Sequence, residues 1–336
     1  MKRNMRKWLD DIVSSERKTP FPVLSFPATQ LMNMSVRELI STSENMAEGI
    51  CRVSARSGSA AALGMMDLSI EADAFGATIN ISDNEVPTVT GRVIASPEDA
   101  DALKVPAIDG ARAEKYIKAI ELAVGRINDK PVFSSMIGPF TLAGRLMDVS
   151  EIMVNCYDEP DMVHTVLNKT VEFLIGFAKR YKAAGANGIL IAEPVAGLLS
   201  PAQVDEFSTP YCKQIVDAIQ EDDFIAGYHN CGQTIKQAAS IMKIGASMYH
   251  FGNAIDLEAM LETVPPGTVV MGNIDPASQF RNGTPESMRE ATLALMNKCA
   301  RFKTFIPSSG CDIPPLAGWD NIDAFFAAVE EYYNKA

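Results

Sequence analysis

The feature that most constrains this chain is a rhythm. Short apolar runs of strand length recur along it, and most are followed by a segment with helical patterning. The runs occupy residues 21–27, 60–68, 132–137, 188–194, 223–228, 247–251, 268–272 and 304–307. Strands buried on both faces of a parallel sheet read as continuous apolar stretches rather than alternating ones. Eight of them, separated by helices, predict an α/β fold of the (β/α)8 TIM barrel type. The competing fold is an open doubly wound sheet. It is disfavoured because no G-x-G-x-x-G follows the first run and no G-x-x-x-x-G-K-[ST] loop occurs, which lowers nucleotide binding as well. Neither an internal repeat nor a low-complexity linker breaks the pattern, so residues 1–336 are expected to form a single domain.

Two stretches depart from the rhythm. Residues 1–15 predict a helical extension ahead of the barrel. Thr78-Ile-Asn-Ile and Thr88-Val-Thr-Gly-Arg-Val-Ile94 flank Asp83-Asn-Glu-Val-Pro87 and predict a β-hairpin inserted after strand 2. Ser96-Pro97 and Ser200-Pro201 each predict a helix start, with serine as the N-cap and proline in the first turn. Further helices are expected over 36–56, 234–244, 257–263 and 285–302, with two after strand 132–137, the second near 162–184.

The formal net charge of -12 and pI of about 4.8 disfavour nucleic acid and anionic membranes as partners. No apolar run approaches the roughly 18 residues of a membrane span, and the charged, amphipathic residues 1–17 lack a signal-peptide core. The six cysteines are scattered, which predicts reduced thiols and a cytoplasmic location. Cys51, Cys156, Cys212 and Cys299 fall in helical segments and are expected to be small buried hydrophobes.

Chemistry in a barrel gathers at the C-terminal strand ends. Phe224-Ile-Ala-Gly-Tyr-His-Asn-Cys-Gly232 ends one strand with His229 and Cys231, two residues apart and therefore on one face. Cys311, after the eighth strand, would lie near them. One imidazole and two thiolates, with no obvious fourth donor, fit a catalytic zinc that keeps one position open. Around them the strand ends offer Asp67, Arg145, Glu193, Asn253, Asn273, Asp275 and Asp312. Glu193 is a candidate base or displaceable fourth ligand, or a residue hydrogen-bonding loop backbone. Asp312 is placed to orient a ligand. Arg145 is a candidate anion-binding residue or half of an ion pair. Asn253 and Asn273 are candidate substrate contacts. His164 and His250 are expected to be structural.

Several of these motifs resemble the uroporphyrinogen decarboxylase superfamily. They are Met66-Asp-Leu-Ser-Ile-Glu-Ala-Asp73, Asp83-Asn-Glu-Val-Pro87, Gly138-Pro-Phe-Thr-Leu-Ala143, Glu193-Pro-Val-Ala-Gly197, Leu199-Ser-Pro201, Pro210-Tyr211 and Gly272-Asn-Ile-Asp-Pro276. His229-x-Cys231 with Cys311 is similar to the methylcobamide:coenzyme M methyltransferase branch. The first run carries no arginine, unlike the arginine-rich motif with which the decarboxylases hold substrate carboxylates. The resemblance implies a zinc-dependent methyltransferase acting between a corrinoid on a separate carrier protein and a small thiol such as coenzyme M. A sister enzyme that demethylates a small donor is the alternative. A porphyrinogen decarboxylase and a non-enzymatic tetrapyrrole-binding protein are weaker ones. No D-x-H-x-x-G corrinoid motif occurs, so the corrinoid is expected to arrive on the partner.

Overall fold

The computed structural model describes residues 3–108 and 110–334. Nine strands occur among them: β1 (Ala62–Leu63), β2 (Thr78–Asn80), β3 (Thr88–Thr90), β4 (Val132–Ile137), β5 (Gly188–Ala192), β6 (Ile225–Asn230), β7 (Met248–Phe251), β8 (Val270–Ile274) and β9 (Phe305–Ser309). Seven form one parallel sheet in the order β1-β4-β5-β6-β7-β8-β9, wrapped by helices. β2 and β3 pair antiparallel as a separate hairpin, with Ile79 opposite Val89.

The eighth stave of the barrel differs from the expected strand over 21–27. No ladder forms there, although the segment runs between β9 and β1. Phe21 N donates to Pro307 O at 2.9 Å, and Ala60 N donates to Pro20 O at 2.8 Å. Pro22 and Pro307 have no N–H to give, so a regular ladder cannot continue. Serine hydroxyls take its place. Val23 N donates to Ser309 Oγ at 3.0 Å, Met66 N to Ser25 Oγ at 3.3 Å, and Ser308 Oγ donates to Phe21 O at 2.7 Å. The run at 60–68 is also shorter than expected, pairing only at Ala62 and Leu63 before the chain turns.

The N-terminal extension is part of the barrel's packing. Its helix, Met5–Ser14, starts at the N-cap Asn4, whose side chain accepts from Lys7 N. Met5 and Leu9 are buried with Phe21, Leu63, Phe133 and Met248 in the barrel interior. Trp8 lies 5.6 Å from the ring of Phe133. The helix thus closes the end of the barrel at which the strands begin.

Other boundaries moved for local reasons. The region after β4 holds three helices, Pro139–Met147, Val149–Asp158 and Pro160–Ala183, rather than two. Asp148 takes φ 74° and caps the second through Ser150 N, while Pro160 opens the third. The stretch 36–56 is split into Val36–Leu39 and Ser43–Arg56, with Thr42 capping the latter. No described helix is long and apolar enough to cross a membrane.

Candidate metal centre

β6 and β9 supply the central cluster. β6 is buried along its whole length and ends at Asn230. Asn230 Oδ1 accepts from Gly232 N at 2.8 Å, and its Nδ2 donates to Glu193 O at 2.8 Å. These bonds bend the chain so that Cys231 returns toward His229. The bend presses against β7, where a Cβ at Gly252 would fall 2.6 Å from Cys231 Cβ. Only glycine fits that contact. Cys311 follows β9 after Gly310.

The ligand atoms of His229, Cys231 and Cys311 all lie within 4.8 Å of one another. Cys311 Sγ is 3.4 Å from His229 Nε2. The hydrogen bond from Cys311 draws the Cys231 thiol down, and the same bond, with burial, pushes Cys311 up. One imidazole and two thiolates suit zinc, and three protein ligands leave a position open. The donor set therefore fits the expected metal.

His250, expected to be merely structural, touches this cluster. β6 and β7 pair with His229 opposite His250. His250 is fully buried, and its Nδ1 is 2.6 Å from His229 Nδ1. Burial holds its pKa well below the ordinary histidine value. The signal available in the sequence was two successive strands that each carry a histidine next to their last residue.

A cleft of about 220 Å³ opens over His229 and Cys311. Val23, Met66 and Leu68 line one side, and Val86 to Val89 of the hairpin line another. Arg145 reaches it from the last turn of helix Pro139–Met147. No carboxylate among the described residues forms an ion pair with that guanidinium, so it faces the cleft as a free cation. Asp312 also lines the cleft, with Oδ1 buried and lacking a hydrogen-bond partner. Burial raises its pKa, favouring the neutral acid. A larger hollow of about 760 Å³ lies at the opposite end, near Val132, Asn187 and Asp223. It contains no group of ligating side chains of the His/Cys kind.

Of the readings the sequence offers for Glu193, the structure shows backbone hydrogen bonding, as a helix cap. Glu193 is fully buried, and its Oε1 and Oε2 accept from Phe140 N and Thr141 N, each at 2.8 Å. The carboxylate thus caps the helix that carries Arg145, where the first amides have no partner within the helix. A Cβ at Gly138 would meet Glu193 Cδ at 2.5 Å, which explains the glycine of the Gly-Pro-Phe-Thr motif.

Asn253 and Asn273 line a groove that shares no lining residue with the His/Cys cleft, although Asn253 packs against Gly310 beside Cys311. Asn273 Nδ2 donates to Gly252 O and Ile255 O, both at 3.0 Å, so it braces a loop. Asp275 caps Ala277 N and Ser278 N. Asp67 is enclosed by Ser69, Arg112 and Tyr116, the last at 2.6 Å. His164 contacts Tyr211 OH at 2.7 Å, away from the centre.

A family model for uroporphyrinogen decarboxylase (URO-D) matches residues 23–332. The chain belongs to the uroporphyrinogen decarboxylase family. Within that family, the methylcobamide:CoM methyltransferase MtbA of Methanosarcina mazei is 28% identical over 270 residues, covering 79% of this chain and 78% of that protein. The uroporphyrinogen decarboxylase of Coxiella burnetii is 25% identical over 288 residues, covering 82% and 78%. A solved methyltransferase from Methanosarcina mazei superposes with a TM-score of 0.87 at 22% identity, over 99% of this chain and 98% of that one. The last likeness establishes the fold.

Proposed function

We propose that this chain is a methyltransferase that holds zinc with His229, Cys231 and Cys311 and moves a methyl group between a corrinoid and a small thiol. The observation that carries the proposal is the His/Cys/Cys cluster under a cleft whose walls are mostly apolar. The methylcobamide:CoM methyltransferase relative supports the same chemistry. A decarboxylase acting on a many-carboxylate porphyrinogen would need several cations, and this cleft offers Arg145. The cleft is smaller than the roughly 300–1,000 Å³ of drug-sized sites. It suits a small thiol, while the corrinoid would meet it from outside on a carrier protein, against the hairpin wall at Val86–Val89.

A bound zinc would hold the thiol as its thiolate at neutral pH, where a free thiol is mostly protonated. The chain's residues supply the rest. Arg145 attracts an anionic group on the thiol and fixes its direction. The apolar walls exclude water from the sulfur. The thiolate sulfur attacks the methyl carbon of a methyl–Co(III) corrinoid. A C–S bond forms, the Co–C bond breaks, and its electron pair stays on cobalt as Co(I). The thiol's proton leaves to solvent. The reverse direction, loading the corrinoid from a small methylated donor, uses the same residues. The scattered free cysteines support a reducing compartment such as the cytoplasm.

The test is zinc content together with demethylation of free methylcobalamin, followed by absorbance across a panel of thiols. We expect about one zinc per chain and thiol-dependent demethylation, both lost in Cys231→Ala. Zinc without thiol activity would shift the proposal to a donor-demethylating enzyme. Absence of zinc from native protein would overturn it.

A further inference from the structure

The histidine pair beneath the cluster sits in a chain of hydrogen bonds whose direction can be worked out. It begins at Phe21 O, in the proline-rich stave. A carbonyl only accepts, so Ser308 Oγ–H must donate to it, at 2.7 Å. Ser308 Oγ is left with lone pairs toward His250 Nε2, 2.9 Å away. Ser309 O, 2.7 Å from the same nitrogen, also only accepts. Both neighbours therefore require the hydrogen of His250 on Nε2. Two ring nitrogens 2.6 Å apart hold one hydrogen between them, and with its own hydrogen turned to those acceptors on Nε2, His250 presents a lone pair at Nδ1. The partner of that lone pair is His229 Nδ1 at 2.6 Å, which must carry its hydrogen there. His229 Nε2 is then the bare nitrogen, and it is the one facing Cys311 Sγ at 3.4 Å.

We propose that His250 is a positioning residue for the metal centre: with Ser308, Ser309 and the Phe21 carbonyl it fixes the His229 tautomer and aims Nε2 at the ion. The inference rests on the zinc proposal above. Ligating histidines commonly donate their second ring N–H to a carboxylate, a carbonyl or water, and loss of such a partner costs about 10- to 100-fold in metal affinity. Here the acceptor is a second histidine, itself oriented by the closing seam of the barrel. An imidazole can turn over its hydrogen position where a carbonyl cannot. Fixing it therefore takes the further bonds to Ser308 and Ser309.

The experiment has two arms. The first is zinc affinity by competition with a chromophoric chelator, on the full chain. His250→Phe keeps ring size but offers no acceptor. His250→Asn places Oδ1 near the lost Nδ1. We expect the phenylalanine variant to bind zinc about 10- to 100-fold more weakly and the asparagine variant to recover most of that loss. The second arm is long-range proton–nitrogen NMR of the wild-type protein, which reports the tautomer of each of the three histidines. We expect His229 to carry its hydrogen on Nδ1 and His250 on Nε2, with and without zinc. Unchanged zinc affinity in a folded His250→Phe protein would overturn the inference. So would equal losses in both variants, or His229 carrying its hydrogen on Nε2. Should His250→Phe fail to fold, the asparagine variant and the wild-type spectrum still decide. Wild-type protein that takes up no zinc refutes the metal proposal instead, and the metal-free spectrum still decides the proton chain.

Discussion

Replacing Glu193 by glutamine separates a catalytic role from a capping one. In the structure each carboxylate oxygen accepts one backbone N–H, from Phe140 and from Thr141. A glutamine keeps one acceptor oxygen and turns an NH2 toward the other amide, leaving that donor buried without a partner. Such a group costs about 1–3 kcal/mol. Part of this is offset, because burial disfavours the carboxylate, as its raised pKa shows. The expected net loss is therefore about 1–2 kcal/mol. Chemical denaturation of wild type and Glu193→Gln measures it. Zinc content should not change, and methyl transfer at saturating substrate should stay within a few-fold of wild type. A general base contributes about 10²–10⁴ in rate. A Glu193→Gln protein with an unchanged denaturation midpoint and transfer slowed by about 100-fold or more would refute the capping argument and return Glu193 to the chemistry.

Three other outcomes are expected. Burial lifts the Glu71 carboxyl to about 8 from its ordinary 4.5, so its folded pKa exceeds its unfolded one. Its stability contribution is complete below the unfolded pKa and is lost as pH rises through 8, at about 1.4 kcal/mol per unit in between; denaturation against pH should show this fall, and Glu71→Gln should flatten it. Arg145→Met should raise KM about 10- to 150-fold for thiols bearing an anionic group, the worth of a charged hydrogen bond, and leave uncharged thiols unaffected; equal effects on both would remove Arg145 from recognition. Ser309→Ala should cost about 1–3 kcal/mol by leaving Val23 N–H buried and unpaired, whereas an unchanged denaturation midpoint would show that this bond does not hold the seam.

Sequence patterning carried most of the barrel and the centre of the site. β4 was legible residue for residue because its six positions are all buried and bounded by turn residues. The hairpin was legible from its alternation about residues 83–87. His229, Cys231 and Cys311 were legible because the strand ends of a barrel converge on one mouth, although Cys231 reaches the cluster through the bend after Asn230 rather than from within β6, and β9 stands three places from β6 in the sheet. The stave at 21–27 was apolar enough to read as a strand, but its prolines lack the donors a ladder needs. Which of its readings Glu193 follows was not legible, because its amide partners belong to a helix that begins 54 residues earlier, at Pro139, a neighbour that no local pattern reveals. His250 was passed over for a related reason. Its importance depends on the register between β6 and β7, and a strand pattern does not contain its own register.

The seam between the Phe21 segment and β9 joins positions 286 residues apart, as in the bond from Val23 to Ser309. During synthesis the N-terminal stave waits for the last strand. Until then the growing sheet has two bare edges, β1 and whichever strand was made most recently, and bare edges invite pairing with other chains. The prolines that spoil the ladder also leave the waiting stave a poor template for such pairing. The same delay would hold back the proposed metal. Cys311 emerges together with the residues that orient His250, so a nascent chain offers zinc an incomplete cluster until the ring is ready to close.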